Sequence, residues 1–241
     1  MRAGWSAADI PDLSGRVAIV TGANRGLGGE ITRYLAGRGA RVIMACRDEA
    51  GGEAAVAALR AGGVPGPLEV RPLDLASLAS VEKFAAGLAG EPRLDVLANN
   101  AGLMAVDRGL TEDGFETHIG VNHLGHFALT ARLLPLLLAT GGSRVVTMSS
   151  MGARLGHHGR SWTNRLVPLW TPFLQPASVG ALGLVRAATD PAAQGGEYYG
   201  PRFQVWGPPV RETPSRRARD PALAARLWEQ SEGLTGCRLP L

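Results

Sequence analysis

Lysine is almost missing from this chain: Lys83 is the only one among 241 residues, so nothing beyond the serine pair Ser149–Ser150 can supply an ammonium group. Proton chemistry at a neutral serine needs a positioned acid or base, and the stretch that follows offers only His157, His158 and arginines, with the next tyrosine at Tyr198. Cysteine is nearly as scarce. Cys46 and Cys237 form no spacing pattern of a zinc or disulfide framework, and no metal site is expected. No secretory-type segment precedes them, so a reducing cytoplasm is the expected compartment. Long apolar runs are missing too. The most apolar stretch, "ALTARLLPLLLAT", carries Arg132 and Pro135, is too short to span a bilayer and reads as a core helix, so no membrane partner is expected. No internal repeat or low-complexity tract is present.

What charge there is leans positive, with a formal net charge of +4 and a pI near 9.7. The cations are nearly all arginines scattered among acids, which is the pattern of a solvated surface and excludes nucleic acid as the expected partner. With 45% apolar residues the chain can bury one substantial core. A single domain over 1–241 is expected, with a cofactor-binding core at 1–153 and a shortened C-terminal segment at 154–241.

Apolar β-branched runs at 16–22, 40–47, 67–74, 94–102 and 143–150 alternate with helix-period segments at 27–38, 48–61, 77–89 and 113–139. Repeated alternation with nearly continuous apolar strands predicts an α/β fold, a doubly wound parallel sheet covered on both faces. Such sheets take ligands at the C-terminal ends of their strands. At the end of the first strand, "TGANRGLG" places Gly22, Gly26 and Gly28 where absent side chains let backbone N–H groups approach a pyrophosphate at a helix N-terminus. The spacing is Gly-x3-Gly-x-Gly, and "NNAG" at 99–102 follows the fourth strand.

Together with "MACRD" at 44–48, "LDL" at 73–75, "DGFETHIGVNHLGHF" at 113–127, "RVVTMSS" at 144–150, and the tail pieces "GGEYYGP" and "RLWEQSEGLTG", these motifs make the sequence resemble the short-chain dehydrogenases/reductases, nearest the retinol-dehydrogenase-like and protochlorophyllide-reductase-like members. The resemblance implies a Rossmann-type sheet and hydride transfer between a dinucleotide cofactor and a small carbonyl or alcohol substrate. It implies that Gly22, Asn24, Arg25, Gly26, Leu27 and Gly28 cradle the cofactor phosphates, and that Asp74 and Leu75 border the adenine. Asn100, Ala101 and Gly102 would line a ribose. Asn122 would hold an active-site water chain, and Ser150 would orient the substrate carbonyl. An acid at the end of the second strand would favour NAD, whereas Arg47 there, with Arg25 in the loop, favours NADP by pairing with a 2′-phosphate. Asp48 could instead salt-bridge Arg47.

The sequence departs from the family at the proton relay. The Tyr-x-x-x-Lys pair of family members is absent, and the helix bearing it, the next strand and the Pro-Gly loop are missing as one block. Tyr198 and Arg202 have i, i+4 spacing, but Gly200 and Pro201 break any helix between them. Tyr34 and Arg38 share the spacing on the first helix, where core and surface roles are expected. His123 and His126 read as packing or surface residues of the long helix, and His118 has no evident partner. The sheet is expected to be truncated after its fifth strand, leaving an apolar edge that "FQVW" at 203–206 could cover. The family-type dimer surface is expected to be disrupted, with segments of 161–189 folding back over helix 113–139. Asp220-Pro221 should open a final helix in which Trp228 is a packing anchor. Three readings follow: an NADP-dependent oxidoreductase with little turnover, a cofactor-sensing or partner-binding pseudoenzyme, or a deletion product or mis-joined gene model without a stable role.

Overall fold

The computed structural model describes residues 4–104, 106–149 and 175–239. The first part runs β1 (Val17–Thr21), α1 (Gly26–Gly37), β2 (Arg41–Cys46), α2 (Glu49–Ala61), β3 (Leu68–Pro72), α3 (Leu78–Ala86) and β4 (Val96–Asn99). A helical run follows, α4 (Thr117–Ile119), a π turn (Gly120–Leu124) and α5 (Gly125–Ala139), before β5 (Arg144–Thr147). The helical run begins later than the sequence pattern suggests. Leu110 bridges Glu116 in antiparallel fashion, and the Glu116 carboxylate caps the run by accepting from the Ile119 N–H at 3.0 Å.

All neighbours in this sheet are parallel, in the order β3-β2-β1-β4-β5. Successive strand side chains point to opposite faces, so each central strand feeds two cores. Val17, Ile19, Ile43 and Leu97 face α3 and α5, while Ala18, Val20, Val42 and Met44 face α1 and α2. This explains why the strands read as unbroken apolar runs rather than alternating ones. The chain order reverses between β1 and β4, and that switch point opens the crevice described below.

The C-terminal segment corrects two expectations. Of the segment 161–189, residues 161–174 lie outside the described residues, and the helices α6 (Ala177–Gly180) and α7 (Leu182–Thr189) cover the α1 face of the sheet, not α5: Leu184, Val185 and Ala188 join the α1 core, and Tyr34 donates from its hydroxyl to the Ser178 carbonyl at 3.0 Å. The Arg144 guanidinium fixes the end of α7 by donating to the Ala187 and Asp190 carbonyls at 3.0 and 2.8 Å. Second, Phe203 to Trp206 does not dock on the sheet edge. It forms the tip of a separate hairpin, β6 (Tyr198–Pro201) and β7 (Pro209–Glu212), closed by the Phe203 N–H donating to the Trp206 carbonyl at 2.9 Å. Tyr198 therefore lies on a strand, opposite Glu212.

Among the described residues no strand pairs with the outer side of β5, and the sheet ends at its fifth strand. Leu138 on α5 is 70% exposed and Val145 on β5 is 42% exposed. The final helix α8 (Pro221–Thr235) is capped by Asp220, whose carboxylate accepts from Ala222 at 2.9 Å, and it stops at Gly236 in the left-handed region. Trp228 does anchor it, meeting Phe127 edge-on at 5.4 Å, and His123 bonds Ser231 at 2.8 Å. No helix among the described residues is long and apolar enough to cross a membrane.

One buried aspartate, through its carboxylate and its backbone carbonyl, ties the lower ends of β1, β4 and β5. Asp95, 4% exposed, accepts from the Val17 N–H at 2.9 Å and from Arg16 and Arg93, both at 2.6 Å, while its own carbonyl accepts from the Arg144 N–H at 2.8 Å. Burial alone would raise its pKa, but those donors outweigh burial and hold it below the usual aspartate range. Asp95→Ala leaves a buried N–H without a partner and should lower stability by ~1–3 kcal/mol, read as a shift in the urea midpoint without a change in slope.

Candidate nucleotide-binding site

The crevice at the upper ends of β1 and β4 is a cleft of about 530 Å³. Its walls come from the loop after β1, the end of β2, the Leu73–Leu75 turn and the Asn100–Leu103 segment. Of the residues expected to hold a cofactor, Gly22, Asn24, Arg25, Leu27, Gly28, Arg47, Asp74, Leu75, Asn100, Ala101 and Gly102 all line it. Gly26 stands at the first position of α1 rather than in the lining.

The three loop glycines have different reasons. Gly22 has φ +64° and Gly26 φ +57°, conformations that side-chain-bearing residues avoid. A Cβ at Gly26 would meet nothing within 4 Å, so the helix start stands open to a ligand. At Gly28 the demand is packing: a Cβ there would lie 2.1 Å from the Gly22 carbonyl oxygen and 2.7 Å from Asn100 Nδ2. Only a hydrogen at that position lets α1 seat against the turn, which aims its first, unpaired N–H groups into the cleft.

Below the loop, the Thr21 hydroxyl is a hub. It accepts from the backbone N–H groups of Asn100 and Ala101, each at 2.9 Å, and lies 2.9 Å from His126 Nε2 and 3.3 Å from the Ala98 carbonyl. Asn100 Nδ2 donates to the Thr21 carbonyl at 2.9 Å. With the Ala101 amide and the Asn100 amide, which is shared with the Ala98 carbonyl at 2.9 Å, on its lone pairs, the hydroxyl has its proton to give to Nε2, an arrangement that calls for a neutral His126 with hydrogen on Nδ1. That Nδ1–H points at the Asn122 carbonyl, 3.3 Å away. Burial agrees: His126 is 4% exposed, and desolvation, against the small opposing effect of the Asn122 carbonyl, pulls its pKa down to about 4.

The Asn122 side chain does not point freely at a substrate. Its Oδ1 accepts from the Leu103 N–H at 2.7 Å and its Nδ2 donates to the Leu103 carbonyl at 2.9 Å. Arg25 and Arg47 are exposed at the rim and make no ion pair among the described residues. Asp48 does not neutralise Arg47; its carboxylate caps α2 by accepting from the Gly51 N–H at 3.0 Å. The Asp74 carboxylate folds onto its own turn, accepting from Ala76 at 2.9 Å. Ser150, His157 and His158 lie outside the described residues. Lys83 sits on the exposed side of α3 and does not line the cleft. His118 finds a partner the sequence did not disclose, Glu116 at 2.9 Å, while Tyr34 and Arg38 serve in packing, Arg38 donating to the Ala7 carbonyl at 2.8 Å.

A second groove of about 480 Å³ runs along the outer side of β5, between Gly142–Ser149 and the Ala193–Tyr199 turn. None of the residues expected to hold a cofactor lines it.

A parallel sheet with strand order 3-2-1-4-5, a glycine cradle at its switch point and a helix N-terminus facing it define a dinucleotide-binding α/β class. Sequence comparison narrows that class: the short chain dehydrogenase family model matches residues 16–162, and the chain belongs to this family. It is 49% identical to human retinol dehydrogenase 12 over 145 residues, which are 60% of this chain and 46% of that protein. It is 51% identical to mouse polyprenol dehydrogenase over 147 residues, covering 58% and 44%. The match thus spans less than half the length of these curated relatives. Among solved structures, an uncharacterized protein from Mycobacterium paratuberculosis shares 40% identity and a TM-score of 0.79 across 99% of this chain and 100% of that one. A metagenomic short-chain oxidoreductase in complex with NADP shares 35% identity and a TM-score of 0.52, covering 58% and 63%.

The buried histidine gives a pH signature. Folded His126 titrates near about 4, whereas in the unfolded chain it titrates near 6.5, so the unfolded state binds more protons between those values. Its contribution is present in full above about 6.5 and is lost as pH falls towards 4, amounting to ~3 kcal/mol across the window. Thermal unfolding of the wild type should weaken more between neutral pH and pH 4.5 than that of His126→Gln.

Proposed function

We propose that the chain binds NADP(H) in this cleft in preference to NAD(H), and that it turns over slowly or not at all. Support for the binding half is the rim of the cleft: an open helix start flanked by two arginines with no carboxylate partner among the described residues. An anion with terminal phosphate oxygens would satisfy both features. Gly22 to Gly28 would hold the pyrophosphate, Arg47 and Arg25 the 2′-phosphate, Asp74 and Leu75 the adenine side, and Asn100 to Gly102 a ribose. Bound there, the nicotinamide would supply the hydride that this family exchanges with a carbonyl or alcohol.

The low-turnover half rests on the scarcity of ionisable groups. A tyrosine with an ordinary pKa near ~10 is a poor acid at neutral pH unless a cation lies beside it, and no lysine stands four residues after any tyrosine in this chain. Losing a positioned acid or base costs on the order of 10²–10⁴ in rate. The cofactor-sensing or partner-binding role and the non-functional deletion product remain as alternatives to slow catalysis, and saturable cofactor binding separates the first of them from the second. Two free, buried cysteines suit a reducing cytoplasm. For a substrate, the apolar alcohols in the names of the curated relatives, retinol and polyprenol, define the panel to test.

Fluorescence titration of the purified chain should show saturable NADPH binding, tighter than NADH. Arg47→Glu should weaken NADPH by ~10–100-fold, the worth of a charge-assisted phosphate contact, and leave NADH nearly unchanged. Equal loss for both cofactors would remove Arg47 from the 2′-phosphate, and no saturable binding of either would overturn the proposal.

A further inference from the structure

The floor of the cleft, Asn100 to Leu103, is held at both ends by groups from other elements. At one end Thr21 receives the Asn100 and Ala101 amides; at the other the Asn122 side chain binds both the N–H and the carbonyl of Leu103. His126 joins these two clamps, reaching Thr21 through Nε2 and the Asn122 carbonyl through Nδ1. The bonds close a ring that runs from the floor to Thr21, through the imidazole to the π turn at Asn122, and back to the floor.

Resting on the nucleotide reading above, we propose that His126 is a positioning residue for the dinucleotide: it couples the end of β1 to the π turn and thereby fixes the backbone segment on which the cofactor lies. It does not line the cleft. Thr21 can present both lone pairs to the floor amides only if something else takes its proton, and the Ala98 carbonyl at 3.3 Å is a poorer acceptor than Nε2 at 2.9 Å. An apolar side chain at 126 would leave the hydroxyl proton with that longer bond and release the Asn122 carbonyl. In a buried network such losses exceed those of the separate bonds.

The test uses the full chain and two independent readouts. In the first, NADPH dissociation constants are compared for wild type, His126→Leu, His126→Gln and Thr21→Val, with circular dichroism verifying that each is folded. His126→Leu should bind about tenfold more weakly, and His126→Gln, whose amide reaches the same position as Nε2, should stay within about threefold. The double variant His126→Leu with Thr21→Val should be little worse than Thr21→Val alone. In the second, amide hydrogen exchange without nucleotide should show Asn100, Ala101 and Leu103 losing protection in His126→Leu while Ile43 and Leu97 in the sheet keep theirs. Wild-type affinity in His126→Leu, additive losses in the double variant, equal weakening by Leu and Gln, or a uniform loss of protection would each overturn the assignment. A wild type that does not bind NADPH, yet shows the local exchange effect, would overturn the nucleotide reading and the cofactor role of His126, leaving a purely structural ring.

Discussion

The structure turns on how closely the start of α1 approaches the end of β1. There is no room for a Cβ at Gly28, where 2.1 Å would separate it from the Gly22 carbonyl oxygen. That contact fixes the direction of α1, and with it the unpaired amides at the helix start point into the switch-point crevice. The same few residues place Thr21 beneath the loop, where one hydroxyl gathers strand β1, the floor after β4 and helix α5. Cleft, floor and helix are thus one packed unit rather than separate parts, and a change in any of them is felt by the others.

On the opposite side of the sheet's centre the fold is less complete. β5 ends the sheet with its outer side unpaired among the described residues, and the next helices among those residues, α6 and α7, return to the α1 face. The sheet's other edge is guarded: Arg41 and Arg71 bridge Glu69 and Glu91 across β2, β3 and the turn after α3, a charged rim that discourages strand addition. The β5 edge instead carries Val145 and a groove. Among the described residues, then, one edge of the sheet is charged and the other is partly apolar.

Local pattern made much of this legible. Strand and helix order, the glycine cradle and the rim arginines are readable because each depends on residues near one another in sequence: apolar periodicity, the glycine spacing after the first strand, and the Asp220-Pro221 helix start. What was not readable depends on distant pairs. The bond between Thr21 and His126 spans 105 positions, and nothing in "VNHLGHF" distinguishes a hub histidine from a packed one. Asp95 looks like any strand-start acid until Arg16 and Val17 are beside it. The placement of "FQVW" failed because apolar residues beside Gly207 and Pro208 satisfy a hairpin tip as readily as a sheet edge, and residues 175–189 went to the α1 face because Leu184, Val185 and Ala188 fit the gap beside Ala36. Arg47 and Asp48 illustrate the middle case: both were seen, but only the geometry of α2 decided that the acid serves the helix and not its neighbour.

The central claim is that a cofactor cleft persists without the means to move a proton beside it. Its most direct test is transient kinetics on a preformed protein–NADPH complex mixed with excess retinal. The expected result is slow oxidation of the bound nicotinamide or none, with no burst, although the complex is formed throughout. A rapid, stoichiometric burst of oxidation would contradict it.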